Sequence, residues 1–173
     1  MELLLKTPIN DSDRIALKVG DEVLITGTIY TARDAAHQNL VDSLAKSEIL
    51  PFDLQGQIVY YVGPTPAKPN QAIGSCGPTS SYRMDKFSPI LMAEGLKVMI
   101  GKGERSIELI EEVKKHQAVY LIAIGGIGAL LSKTVKKAEV IAYPELGSEA
   151  IRKLEVINFP AIVAIDSRGN SIF

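Results

Sequence analysis

The 173-residue sequence contains one cysteine, Cys76, and only two histidines, His37 and His116. A single cysteine excludes an intrachain disulfide and is typical of a protein in a reducing compartment such as the cytoplasm. One thiol also cannot provide the three or four thiolates of a zinc or iron–sulfur site, and two histidines do not make up the shortfall. The sequence therefore predicts a cytoplasmic protein that binds no metal through its own residues.

The sequence also lacks an excess of either charge and any long apolar run. Lys and Arg number 19 and Asp and Glu 20, so the net charge of −1 gives no electrostatic reason to bind nucleic acid or an anionic membrane. The longest uncharged stretch, residues 117–132, has 16 residues and three glycines, which is too short to span a bilayer. The first ten residues lack the basic and apolar regions of a signal peptide. The remaining composition, 46% hydrophobic and 23% charged, predicts one globular domain over residues 1–173.

Strand-like and helix-like segments alternate along the chain. Strands are predicted at residues 23–30, 58–62, 96–100, 119–124, 140–143, 161–165 and 171–173. Helices are predicted at residues 32–44, before Gly95, and at residues 106–116. The uninterrupted apolar runs at 96–100 and 119–124 indicate strands that are buried on both faces. We therefore predict an α/β fold with a mixed central sheet and flanking helices.

Arg33 and His37 lie four residues apart at the start of a predicted helix, which places them on one face. A neighbouring guanidinium would hold His37 neutral, so that its imidazole could accept or donate a proton near pH 7. A solvated surface pair at a helix start would show the same pattern. The residues alone leave both interpretations open.

A second polar segment begins with a Gly-Pro turn and continues with Thr79, Ser80 and Ser81. Three hydroxyls and a run of backbone N–H groups at a predicted helix N-terminus form an arrangement that binds anions. Arg83 adds a planar, two-pronged donor for a carboxylate. The alternative is ordinary helix capping by Thr or Ser with Arg83 exposed to solvent.

Lys102 lies between two glycines directly after a buried strand, where its ammonium can reach the same region. The segment lacks the spacing of a phosphate-binding P-loop and the third glycine of a dinucleotide-binding loop, which disfavours a nucleotide-binding protein. The Gly-Gly-Ile-Gly run at residues 125–128 is more typical of a tight turn between a strand and a helix. If the three loops converge, Arg33, Arg83 and Lys102 form a pocket for a small dicarboxylate.

The ordered set of motifs resembles the β subunit of the iron–sulfur hydro-lyases, the family of class I fumarate hydratases and L-tartrate dehydratases. The resemblance covers essentially the whole chain, and each motif alone is weak. The matching motifs are Thr7-Pro8-Ile9, Gly20-Asp21, Gly27-Thr28, Ala32-Arg33-Asp34 with His37, Gly77-Pro78-Thr79-Ser80 with Arg83-Met84, Gly101-Lys102-Gly103, Glu145-Leu146-Gly147 and Asp166-Ser167-Arg168-Gly169-Asn170.

This resemblance implies a swivelling β/β/α domain and the reversible hydration of fumarate to L-malate. It implies a [4Fe–4S] cluster held by three cysteines of a partner α subunit, whose open iron acts as a Lewis acid, so this chain would be one part of a hetero-oligomer. Substrate-binding positions fall on Arg33, Thr79, Ser80, Arg83 and Lys102. Catalytic positions fall on Thr79, His37 and Lys102, with no metal ligand in this chain.

Two other functions stay open at this point. L-tartrate is also a four-carbon dicarboxylate, so the residues do not separate a fumarate hydratase from a tartrate dehydratase. A non-catalytic swivelling domain that binds a small anion is the alternative from another class. Such a domain would not need the cations Arg33, Arg83 and Lys102 at three strand ends.

Overall fold

Strands and helices alternate over the part of the chain that the computed structural model describes, residues 2–123 and 128–173. The described residues form seven strands: β1 (Glu2–Lys6), β2 (Glu22–Thr31), β3 (Ile58–Tyr60), β4 (Val98–Gly101), β5 (Val119–Ala123), β6 (Val135–Ala142) and β7 (Ile151–Ile165). They also form five α-helices: α1 (Asp11–Ala16), α2 (Asp34–Ala45), α3 (Ser88–Ala93), α4 (Ile107–His116) and α5 (Gly128–Ser132). Two 3₁₀ segments lie at Ser81–Met84 and Pro144–Glu149. None of these helices has the length and apolar character needed to cross a membrane.

The strands pair in the order β1-β2-β3-β4-β5-β7-β6. Strands β1 to β5 run parallel to one another. Strand β7 runs antiparallel to β2, β5 and β6. Because β7 bonds to both β2 and β5, the pairings close a ring through β2, β3, β4, β5 and β7. The prediction of a mixed central sheet is confirmed.

Two hydrophobic clusters lie on opposite faces of the parallel strands. Along β3, Ile58 and Tyr60 belong to the first cluster and Val59 to the second, because successive side chains of a strand point to opposite faces. The first cluster also contains residues of β2 and β7 and therefore lies between two layers of strands. The second cluster contains the inner faces of α2, α3 and α4. The result is the expected three-layer β/β/α fold.

The two long helices lie where the sequence predicts them. Helix α4 begins after Ser106, whose Oγ accepts the backbone N–H of Leu109 at 3.1 Å, and it ends at Gln117 in the left-handed conformation. The prediction did not include the short helix α1. Helix α5 starts at Gly128, the last residue of the predicted Gly-Gly-Ile-Gly turn, whose other residues lie outside the described part.

The strand predictions need four corrections. Strand β1 was missed, β6 begins at Val135 instead of residue 140, and β7 begins at Ile151 instead of residue 161. The predicted strand at residues 171–173 is wrong, because this end forms only an isolated bridge between Ile165 and Ser171.

Solvent-facing charges explain why the two longest errors arose. Strand β6 and the first half of β7 are buried on one face only, so charged residues such as Arg152 and Lys153 interrupt any apolar run. Asn158, with a φ of 53°, and Pro160 then break the pattern before the buried second half of β7. A sequence pattern with these interruptions is typical of a turn, although the strand passes through it.

Phe159 connects β7 to β3 inside the first cluster, where it is fully buried and meets the Tyr60 ring edge-on with 5.2 Å between centroids. Phe159→Ala should lower the free energy of unfolding by about 3–5 kcal/mol, because the truncation leaves a cavity between packed layers. Urea unfolding of the chain measures this change. Phe173→Ala, at a half-exposed position, is the matched control and should cost less than about 1 kcal/mol. Similar losses in the two variants would contradict the packing described for Phe159.

Candidate functional site

The parallel strands β2, β3 and β4 end at the same edge of the sheet, which we call the carboxyl edge. Arg33 follows β2, the loop carrying Thr79 and Ser80 follows β3, and Lys102 follows β4. In open α/β sheets and in closed parallel barrels alike, ligands bind at the carboxyl ends of the parallel strands. The three polar segments singled out in the sequence therefore reach one region of the molecule.

Arg33 occupies the N-cap position of α2 and is partly buried. Its side chain crosses the backbone of the next loop at Gly63, where an added Cβ would lie 3.0 Å from Arg33 Cδ and 3.1 Å from the carbonyl oxygen of Ser148. A side chain at residue 63 would push against both groups. The absence of a side chain at Gly63 thus allows the guanidinium to reach the carboxyl edge.

Asp34 connects Arg33 to Arg83. The Arg83 Nε and Nη2 atoms both lie 2.9 Å from Asp34 Oδ2, and the other carboxylate oxygen lies 3.7 Å from Arg33 Nε. Sequence reasoning missed this carboxylate, although an acidic residue in the first turn of a helix is a common stabilising feature. The pairing brings two of the three predicted cations to the two sides of one carboxylate.

The Thr79 segment lies alongside the end of β4. Ser80 and Lys102 form an isolated parallel bridge, the Ser81 N–H donates to the Lys102 carbonyl at 3.0 Å, and the Lys102 N–H donates to Ser81 Oγ at 3.0 Å. The Thr79 N–H donates to the Tyr61 carbonyl at 2.8 Å. The structure therefore brings Thr79 and Ser80 next to Lys102, as convergence of the loops requires.

One detail of the predicted anion site is wrong. Only a four-residue 3₁₀ segment follows Ser80, and the backbone N–H groups of Thr79 and Ser81 already bond to carbonyls of the chain. These N–H groups are not available to an anion. The side chains of Arg33, Arg83 and Lys102 are therefore better candidates for anion binding at this edge than these two backbone groups.

His37 does not join the exposed residues of the carboxyl edge. It is fully buried under α2, where its Nδ1 donates to the Arg33 carbonyl at 2.8 Å, and its ring packs against Tyr61 and Phe87. Within residues 2–123 and 128–173 its buried Nε2 has no hydrogen-bond partner. Burial lowers the pKa of His37 to about 4, so the titration near pH 7 expected from the sequence is not found.

Sequence reasoning also missed a buried ion pair between Arg105 and Asp85. Arg105 Nε donates to Asp85 Oδ1, and the Arg105 side chain has no exposed surface. Arg105 comes three residues after Lys102, and Asp85 two residues after Arg83, but no local pattern indicates that they are buried or pair with each other. Each of the pair follows a residue that the sequence analysis had already singled out.

A groove of about 790 Å³ opens beside Arg83. The groove is lined by three basic side chains, Arg83, Lys86 and the buried, Asp85-paired Arg105, and by three acidic ones, Asp34, Asp85 and Glu104, with Tyr82 and Ser106. Of the predicted substrate-binding residues, Arg83 alone lines it. Because a balanced groove does not attract a dianion, the wider carboxyl edge, where Arg33 and Lys102 join Arg83, is the better candidate for carboxylate binding.

The described residues do not suit an iron–sulfur cluster. No group of three or more His, Cys, Asp or Glu side chains in residues 2–123 and 128–173 is placed to hold a metal. Cys76 is buried, its Sγ lies 3.8 Å from the Gly128 carbonyl oxygen, and burial raises the pKa of its thiol to about 11. A neutral, buried thiol is a poor metal ligand, because the thiolate is the form that coordinates.

The fold and the carboxyl edge define an α/β domain that presents basic and hydroxyl side chains from three loops. The chain matches the family described as Fumarase C-terminus over residues 1–173, and it belongs to that family. It is 40% identical over 157 residues to the aerobic class I fumarate hydratase of Escherichia coli and 38% identical over 174 residues to fumarate hydratase 2 of Leishmania major. It is 44% identical over 163 residues to a putative L(+)-tartrate dehydratase subunit beta of Methanocaldococcus jannaschii.

The coverage of these relatives differs. The alignments include 90%, 98% and 91% of this chain for the Escherichia, Leishmania and Methanocaldococcus proteins. They include 29% and 30% of the two fumarate hydratases but 84% of the tartrate dehydratase subunit. The chain therefore spans about three tenths of the fumarate hydratases and most of the subunit. The resemblance to fumarate hydratase class I and tartrate dehydratase proteins is confirmed.

The buried His37 should make the stability of the chain depend on pH. Its folded pKa of about 4 lies below the ordinary 6.5, so the unfolded chain binds the proton more readily and stability falls as pH decreases between these values. Between pH 7 and pH 5 the free energy of unfolding should drop by about 2 kcal/mol from this residue. His37→Gln should remove that part of the drop, whereas His116→Gln, which changes the only other histidine, should keep it. Urea unfolding at the two pH values tests this, and an unchanged slope in His37→Gln would contradict the assignment.

Proposed function

We propose that this chain is the β-subunit part of a class I hydro-lyase that hydrates fumarate reversibly to L-malate. The observation that carries the proposal is the convergence of Arg33, Arg83 and Lys102 at one sheet edge, next to the hydroxyls of Thr79 and Ser80. Membership of the Fumarase C-terminus family supports it, as does the similarity to proteins named fumarate hydratase. The chain would act as a single domain in the cytoplasm.

The side chains at the carboxyl edge suit a small dicarboxylate. A guanidinium presents parallel N–H donors to the two oxygens of a carboxylate, and an ammonium adds a point charge. Asp34 uses the Nε and Nη2 atoms of Arg83 but leaves its Nη1 for a second acceptor. Arg33 and Arg83 would thus bind substrate carboxylates together with Lys102, while Thr79 and Ser80 supply hydroxyl contacts.

Thr79 is our candidate for the group that contacts the carbon-bound proton of the substrate. A threonine hydroxyl is a poor base in water, so it would need Lys102 and Arg83 to stabilise its alkoxide. His37 is fully buried in this chain and its Nδ1 donates to the Arg33 carbonyl. We therefore assign His37 the supporting role of holding the start of α2 and with it Arg33.

The cluster expected for this family would be held by another polypeptide. We propose that three cysteines of a partner α subunit hold a [4Fe–4S] cluster, since Cys76 is buried and protonated. The active assembly would then be a hetero-oligomer in which this chain provides carboxylate binding and proton transfer. The similarity to a protein named subunit beta supports a separate partner.

L-tartrate dehydratase is the second candidate function. The Methanocaldococcus relative carries that name and is matched over 84% of its length, more than the fumarate hydratases are. Both reactions transfer water at a four-carbon dicarboxylate, so the same edge could serve either substrate. A non-catalytic anion-binding domain remains the alternative from another class.

Reconstitution separates these functions. The chain purified alone should be colourless and inactive, whereas co-expression with a candidate α subunit that has three separated cysteines should give a brown, oxygen-sensitive assembly. We expect this assembly to consume fumarate and form L-malate. Turnover of L-tartrate in place of fumarate would establish the second candidate. Fumarate hydration by the metal-free isolated chain would contradict the division between subunits, and an assembly inactive on both substrates would favour the non-catalytic domain.

Arg83 provides a sharper test of the carboxylate site. In the reconstituted assembly, Arg83→Ala should lower kcat/KM by at least about 30-fold, since loss of one partner of a water-excluded charge pair costs about 2–5 kcal/mol. Arg83→Lys should also lower kcat/KM, because one ammonium cannot replace both the Nε and Nη2 contacts to Asp34 and a further donor to the substrate carboxylate. Arg168→Ala, at an exposed arginine after β7, is the control. A kcat/KM within twofold of the unmodified enzyme for Arg83→Ala would exclude Arg83 as a substrate ligand.

A further inference from the structure

Arg105 lies at the centre of a buried polar network behind the carboxyl edge. Its Nε donates to Asp85 Oδ1, and its Nη2 donates to Ser88 Oγ at 3.0 Å. Its guanidinium carbon lies 5.3 Å from the ring centroid of Tyr61 and 4.8 Å from that of Tyr120. One side chain thus contacts the residue that follows β3, strand β5, helix α3 and the residue that follows the 3₁₀ segment, and it has no exposed surface of its own.

The same network holds the two segments that carry Arg83 and Lys102. Asp85, two residues after Arg83, accepts the Arg105 Nε on one carboxylate oxygen and the Ser106 N–H at 2.7 Å on the other. The Tyr120 hydroxyl oxygen lies 2.7 Å from Ser81 Oγ and 2.9 Å from the Gly103 carbonyl oxygen. The segment of residues 81–85 is therefore joined to the segment of residues 103–106 at two places, through Tyr120 near Ser81 and through Asp85.

The local packing leaves little room for the two segments to shift. A Cβ added at Gly101 would clash with Ser81 Oγ and would lie 2.8 Å from Tyr61 Cδ2. At Gly101, the residue before Lys102, the backbone of β4 thus lies directly against the side chain of Ser81. A change in the position of either loop must move the other as well.

Net stability is a weak reason for a protein to keep such a pair. Removing two charges from water is unfavourable, and replacing a buried ion pair by apolar residues is often neutral or stabilising. Geometry is the better reason: Arg105 fills several directional contacts at once, which an apolar side chain cannot do. The Asp85 carboxylate, through Arg105 and the Ser106 N–H, connects the segment that carries Arg83 to the segment that carries Lys102.

We propose that Arg105 and Asp85 form a positioning pair that sets Lys102 and Arg83 at the spacing required by a dicarboxylate. This inference rests on the proposed function for the identity of the substrate. It does not place Arg105 in contact with substrate, because the Arg105 side chain is fully buried. Arg105 and Asp85 act through the loops that they connect.

The test compares Arg105→Lys and Asp85→Asn with Arg14→Lys in the assembled enzyme. Arg14 is the control: it is an almost fully buried arginine that pairs with the exposed Asp11 at 2.7 Å and donates from Nε to the Gln117 carbonyl, just before β5 begins at the opposite edge. Arg105→Lys keeps the charge but loses the forked contacts. Asp85→Asn keeps the shape and loses the charge, and it decides the question if Arg105→Lys does not fold.

Two measurements are made on each variant. The KM for the dicarboxylate should rise at least tenfold in Arg105→Lys or Asp85→Asn, measured at a temperature at which circular dichroism shows every variant to be fully folded. Hydrogen–deuterium exchange should accelerate at least tenfold in peptides covering residues 79–86 and 100–106. Arg14→Lys should leave KM and both peptides within twofold of the unmodified enzyme.

The outcomes separate this inference from the proposed function. An unmodified assembly that is inactive on fumarate and tartrate overturns the proposed function, while exchange in the two peptides still tests whether the pair holds the loops. Unchanged exchange in Arg105→Lys and Asp85→Asn overturns the positioning role. An active assembly in which these variants keep KM within twofold also overturns it, as does an equal rise in KM for Arg14→Lys.

Discussion

Strand β7 is the constraint on which the arrangement of the other strands depends. It has 15 residues and bonds to β2, β5 and β6. Without it, β5 would have only β4 as a neighbour, and the row of parallel strands would have a free edge. Because β7 joins β5 back to β2, the strands form a ring with an apolar interior. The loops at the carboxyl edge therefore start from strand ends whose relative positions are fixed.

The charges at that edge are arranged around carboxylates of the chain itself. Asp34 lies between Arg33 and Arg83, and Asp85 pairs with Arg105 behind them. A carboxylate between two guanidinium groups reduces their mutual repulsion and fixes the direction of their remaining donors. The negative charge of Asp34 also offsets part of the positive charge of Arg33 and Arg83. The edge is thus an oriented set of donors, with less net charge than the count of Arg and Lys residues indicates.

The sequence predicted those features that depend on neighbours along the chain. Apolar runs predicted the buried strands β4 and β5, and Ser106 marked the start of α4. Polar residues at the ends of strands predicted which loops reach the carboxyl edge. Lys102 between two glycines was recognisable because its motif is contiguous. Patterns among neighbouring residues were therefore enough to predict most of the strands and helices and the loops that reach the carboxyl edge.

The features that could not be predicted depend on residues far apart in sequence. Arg83 and Asp34 are 49 residues apart, and no local pattern assigns one to the other. The burial of His37 had a partial signal, because it lies beside Ala36 and within one turn of Leu40, on the face of α2 that packs inward. A polar residue on an apolar helix face indicates a buried group more often than a surface pair. The pKa follows from that burial and so could not be read from the neighbouring Arg33.

The solvent exposure of Arg83 and Lys102 gives a physical reason for the proposed second subunit. In this chain the Arg83 side chain is 43% exposed and Lys102 is also exposed. Charge pairs in contact with water contribute little, typically below about 1 kcal/mol, whereas the same pairs in a water-excluded site are much stronger. On the proposed function, a partner that covers the carboxyl edge would exclude water from Arg83 and Lys102 and strengthen their hold on a dicarboxylate. The partner would then contribute to substrate binding through this chain's own residues, in addition to any cluster that it carries.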